Sequence, residues 1–117
     1  MSPLTINDLA DCIQGTLLSG TIYKNREITT GYCCDLLSRV MAQAPAGCAW
    51  VTVLANVNVI AVAELAEIGC VILPEDIPVP ESMISRAEQE NIPIISSGMG
   101  SYEISWRIHE ALTGGKN

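Results

Sequence analysis

A chain of 117 residues that is 49% apolar is long enough for one domain with a core of its own. Its net charge is −7 and its six basic residues are scattered, so it lacks the clustered Lys and Arg that neutralise phosphates; nucleic acid and anionic membrane surfaces drop out as partners. Charged residues are only 16% of the chain, below the usual value of about 25%, which points to a surface partly covered by a protein partner or a second copy.

The opening residues, Met1 to Thr5, have no basic start followed by an apolar run, so no secretory leader is expected. The most apolar stretch, 48–73, is interrupted by Asn56, Asn58, Glu64 and Glu67, unlike a membrane-spanning helix. The five cysteines are odd in number and match no disulfide framework, which fits free thiols in a reducing, cytoplasmic setting.

In chain order, Thr5-Ile6-Asn7-Asp8 resembles a capping box that starts a helix, with Leu9 and Ile13 on one face and Gly15 at its end. Residues 16–20 read as a short strand, 23–26 as a polar turn and 27–33 as an alternating strand. Leu36, Leu37, Val40 and Met41 carry helical spacing over 35–42, and the Ala-Pro-Ala-Gly run 44–47 breaks it. The first 45 residues thus supply a helix, a short strand pair and another helix. Residues 48–54 are nearly all apolar, as in a strand covered on both faces of a parallel sheet. Asn56 or Asn58 can cap the helix that runs to about Ile68, where Gly69 stops it. Residues 70–73 form a second buried strand and 74–80 a loop. An amphipathic helix over 81–90 points Met83, Ile84 and Ala87 inward and stops at Asn91. Residues 92–96 form a third strand, a Gly/Ser turn over 97–101 follows, and a last helix spans 102–112 before a frayed tail over 114–117. From residue 48 onward the order is β-α-β-α-β-α. The reading is a single α/β domain over 1–117, with a mostly parallel central sheet flanked by helices.

Ligands of parallel sheets usually sit beyond the carboxyl ends of the strands. The candidate ligand-binding residues are therefore Thr52, Asn56 and Asn58 after one strand and Ser97, Gly98, Gly100 and Ser101 after another. The 97–101 loop runs from a strand into a helix N-terminus, where free N–H groups favour an anion. The competing reading makes Asn56 or Asn58, and Gly100 or Ser101, ordinary helix caps. Glu75 and Asp76 are an acidic spot too sparse for a cation site. His109 is the single histidine and has no nucleophile motif near it. Cys33 and Cys34 are adjacent, so they point to opposite faces of a strand, and their spacing suits neither zinc nor a redox motif. Thr113-Gly114-Gly115-Lys116 lacks the earlier Gly, the following Ser or Thr and the preceding strand of a phosphate loop. No catalytic residue, metal site or cofactor is expected. Trp50 and Trp106 are expected to anchor the core or an interface.

Several segments together resemble the DRTGG-domain family: 35–41, Trp50-Val51-Thr52, 58–63, 84–96 and the Ser-Tyr-Glu start of the last helix. The resemblance implies a fold like the N-terminal domain of HPr kinase/phosphorylase, and a regulatory or dimerising role beside other domains. The name-giving pentapeptide is absent; the segment after Leu73, Pro74-Glu75-Asp76, stands at its place. The expected function is a non-catalytic, homodimeric regulatory or assembly module. The alternatives are a sensor of a nucleotide or other small anionic metabolite at the strand-end loops, and an enzyme component of a larger complex.

Overall fold

The computed structural model describes residues 3–114. The tail expected to fray lies mostly outside them. Thr5 opens α1 (Ile6–Cys12), its Oγ1 accepting the Asp8 N–H at 3.1 Å as the capping pattern requires. The chain continues through β1 (Thr16–Ser19), a 3-10 turn (Thr21–Tyr23), β2 (Gly31–Cys33) and α2 (Leu37–Gln43). Then follow β3 (Ala49–Val51), α3 (Val57–Leu65), β4 (Cys70–Leu73), α4 (Glu81–Glu90), β5 (Ile94–Ser96) and α5 (Ser101–Leu112).

The five strands form one sheet in the order β1-β5-β4-β3-β2. The ladders from β2 to β5 are all parallel, and β1 runs antiparallel to β5. The three apolar runs read from sequence are therefore the three interior strands. The two early strands are not a pair: they close opposite edges of the sheet, separated by the three later strands. A strand order of this kind is a long-range property that neighbouring residues do not encode.

Strand alternation sorts the core into two layers. Trp50, Val71, Leu73 and Ile94 face α3 and α4 in one cluster; Ala49, Val51, Ile72 and Ile95 face α1 and α5 in the other. Trp50 is completely buried, and its indole N–H donates to the Cys34 carbonyl at 2.8 Å. Met83 and Ala87 are buried as expected, whereas Ile84 is only half-buried.

Several elements are shorter than their sequence signal. Of the strand expected over 27–33, only the last three residues join the ladder; Glu27 makes an isolated bridge to Thr5 instead. Pro93 has no N–H to donate, so β5 begins at Ile94. Helix α3 ends at Leu65, because Glu67 takes a left-handed conformation (φ 57°) before Gly69 is reached. Gly69 serves packing: a Cβ there would lie 2.6 Å from the Gly47 carbonyl oxygen. Asn91 is the left-handed stop of α4 (φ 61°) that the sequence indicated. Among the described residues, no helix is long and apolar enough to cross a membrane.

Candidate functional site

Parallel strands deliver their carboxyl ends to one rim, and the structure brings the expected candidates there in two groups. The first surrounds the end of β3. Thr52 is buried; its hydroxyl donates to Asp35 Oδ1 at 2.8 Å and accepts the Leu54 N–H at 3.2 Å. The same Asp35 oxygen accepts the Val53 N–H at 2.9 Å, so Asp35 ties the end of β2 to the loop after β3. Asn56 is the N-cap of α3, and its side-chain oxygen accepts the N–H groups of Asn58 (2.9 Å) and Val59 (3.3 Å). Asn58 stands in the first helical turn, exposed. The capping reading therefore describes Asn56. Asp35 was not among the candidates; its signals in the sequence are its place just after a strand and at the head of segment 35–41, which resembles the DRTGG family.

The second group follows β5. The Ser97 hydroxyl is buried, donates to the Ile13 carbonyl at 2.7 Å and accepts the Met99 N–H at 3.1 Å. It fastens the loop to α1 and has no free donor for a ligand. Gly100 is the N-cap of α5 with no side-chain hydrogen bond, and Ser101 is the first helical residue. The acidic turn after β4 is stitched to this loop. Glu75 N–H donates to the Met99 carbonyl at 2.9 Å, and Asp76 N–H to the Ser97 carbonyl at 3.0 Å. A Cβ on Gly98 would lie 2.9 Å from Asp76 Oδ2, so Gly98 makes room for a carboxylate. Glu75 and Asp76 both have positive φ (62° and 54°), a strained choice for two successive non-glycine residues.

A cleft lies elsewhere, between the edge strand β2 and the C-terminal half of α5, with a volume of about 310 Å³. Ser105, Ile108, His109 and Leu112 line it from the helix, and four consecutive residues, 30–33, line it from the strand. Buried Val51 of β3 lines it too. Gly31 allows α5 to come this close, since a Cβ there would meet Ile108 Cγ2 at 3.1 Å. Cys33 lines this cleft with Ser105, while Cys34 packs toward the opposite layer, as adjacent strand residues must. Partial desolvation, the largest influence, raises the Cys33 thiol above its ordinary pKa although the residue is exposed.

All five cysteines are free. Cys48 and Cys70 are buried. Burial pushes Cys48 up to about 11 and raises Cys70 further. Trp50 is a core anchor, whereas Trp106 is 50% exposed on α5. Among the described residues no group of three His, Cys, Asp or Glu side chains converges to hold a metal.

The fold is thus an α/β domain whose mostly parallel sheet is closed by one antiparallel edge strand. Its sequence matches the DRTGG domain over residues 8–111, and the chain belongs to that family. No curated protein matches it. Among solved structures it is similar to the CBS and DRTGG domains of the regulatory region of Clostridium perfringens pyrophosphatase, determined in complex with the activator diadenosine tetraphosphate. The TM-score is 0.76 at 13% identity, over 93% of this chain and 47% of that one. The chain spans about half the length of that regulatory region.

Proposed function

We propose that this chain is a non-catalytic regulatory module of the DRTGG type that works as a homodimer in the cytoplasm, with 1–117 acting as one unit. A structural neighbour that is part of a regulatory region supports the regulatory half of this reading. One observation carries the dimer: three aliphatic side chains stand uncovered at the rim, Leu36 (60% exposed), Val53 (41%) and Val57 (38%). The hydrogen bond from Val53 N–H to Asp35 holds the first two segments together, and Val57 follows directly on the Asn56 cap. Apolar side chains gathered in this way gain by being covered, and a second copy covers them symmetrically. Sedimentation at micromolar concentration tests the proposal. The chain is expected to run as a dimer and Val53→Asp as a folded monomer; a parent chain that is a clean monomer removes the assembly role.

A sensor of a small anionic metabolite is the second reading. The nucleotide activator held by the clostridial regulatory region and the N-terminus of α5, which no side chain caps, favour it. Glu75 and Asp76 beside the 97–101 loop oppose it, since carboxylates repel an anion. Thermal shift with inorganic phosphate and diadenosine tetraphosphate decides: stabilisation by either supports this reading, and none sinks it.

A further inference from the structure

We propose that the cleft between β2 and α5 binds an uncharged, planar nitrogen heterocycle about the size of a nucleobase. The first argument is the state of the edge strand. In the ladder with β3, the Thr30 carbonyl accepts the Ala49 N–H and the Cys34 N–H donates to the Val51 carbonyl. Tyr32, between them, pairs with Trp50 in register. Alternation then turns the N–H and C=O groups of Gly31 and Cys33 away from the sheet. Edge strands are normally blunted by shortness, a bulge, a Pro, a charged side chain or a covering helix. The β1 edge is broken in that way, with a register shift between Leu17 and Ser19. The Gly20 N–H just after β1 is taken by Glu88 at 3.4 Å. Gly31-Tyr32-Cys33 is guarded by its shortness alone: it runs in unbroken register, and its three residues include no Pro and no charged side chain.

The second argument is the chemistry of the walls. The cleft lies along that open main chain, since four consecutive strand residues line it. The N–H and C=O of one outward-facing strand residue point the same way. They match the adjacent acceptor and donor on the rim of an amidine or lactam heterocycle. Ser105, Thr30 and His109 add polar groups at the sides, and Val51, Ile108 and Leu112 supply apolar surface for a ring face. No Lys, Arg, Asp or Glu lines the cleft, so a charged ligand would lose hydration with no counter-charge in return. A volume of about 310 Å³ is ample for one ring system, and the uncharged lining, not the volume, disfavours a nucleotide's phosphates. This site is separate from the rim patch at Leu36 and Val53, so its failure leaves the dimer reading untouched.

The test is amide chemical-shift mapping of the full, isotope-labelled chain with adenine, cytosine and nicotinamide at millimolar concentration. Inorganic phosphate and indole serve as controls, indole having a planar ring but no acceptor on its rim. Saturable shifts at Gly31, Cys33, Ser105 and His109 with at least one heterocycle are expected. Ser105→Phe, which fills the cleft, is expected to weaken that binding about tenfold or more, the equivalent of one or two lost hydrogen bonds. His109→Phe replaces it if Ser105→Phe does not fold. The proposal is overturned if no heterocycle shifts these amides saturably. It is equally overturned if indole or phosphate binds there as well as the heterocycles do, or if filling the cleft leaves binding unchanged.

Discussion

The carboxyl-end rim and the β2–α5 cleft carry similar polar residues, yet their hydrogen-bonding capacity is used in opposite ways. At the rim, Ser97 joins α1 to the last turn, Thr52 and Asp35 lock the ends of two strands, and Asn56 caps α3. In the cleft, the outward N–H and C=O groups of Gly31 and Cys33 have no partner strand. A hydroxyl at a strand end signals chemistry only if the fold has not already occupied it. The difference lies between residues that hold the domain together and residues that remain available, and substitutions distinguish the two.

The largest effect is expected at Ser97. Ser97→Ala leaves the Ile13 carbonyl and the Met99 N–H without their partner, at a cost of about 1–3 kcal/mol in chemical denaturation. A variant as stable as the parent would mean that the hydroxyl is free, and would restore the loop as a ligand site. Asn56→Ala removes the α3 cap and is expected to cost about 1 kcal/mol, measured in the same way. Asp35→Ala is expected to cost a similar amount, roughly 1 kcal/mol, because its carboxylate is exposed. It is also expected to speed hydrogen exchange at the Val53 amide. The smallest effect belongs to the cleft: His109→Ala, on the exposed side of α5, should leave stability within about 0.5 kcal/mol. A large loss there would make His109 a structural residue and erase the contrast.

The buried thiols sharpen the comparison through pH. Cys48 and Cys70 stay protonated in the folded chain where an unfolded chain already ionises them. The unfolded state then binds fewer protons, so unfolding becomes easier as pH rises. Their contribution is complete below pH about 8.5. It declines as pH climbs toward the folded value of Cys48, about 11. Cys48→Ala should flatten that decline in denaturation curves recorded between these limits. Thiol labelling of the native chain should reach exposed Cys33 and spare Cys48 and Cys70 until the protein unfolds.

Much of the fold was legible because the relevant signals are local. Thr5 and Asn91 start and stop helices by the conformations their own side chains favour. The apolar runs ending at Leu54, Leu73 and Ser96 could only be interior strands once helices were seen to separate them. Element ends were less legible, because a ladder stops where its neighbour stops: residues 28–30 have strand composition, but the Ile28 and Thr29 N–H groups go to Leu4 and Gly47 instead of extending the ladder with β3. The candidate site shows the same limit. That Asn56 or Asn58 caps α3 followed from residue type, but which of the two does so, and the engagement of Ser97 by Ile13, 84 positions away in sequence, did not.

By itself, then, the sequence determined the element types, the layered α/β architecture, the placement of a hydrophobic core and the helix caps, since each rests on periodicity or on one residue's conformational preference. Only the tertiary structure decided that β1 and β2 close opposite edges, which hydroxyls are already bonded, and that a cleft opens beside β2. Those outcomes depend on contacts between residues far apart in the chain. Such contacts form only when the two core layers pack on both faces of the sheet and fix which strand remains at its edge.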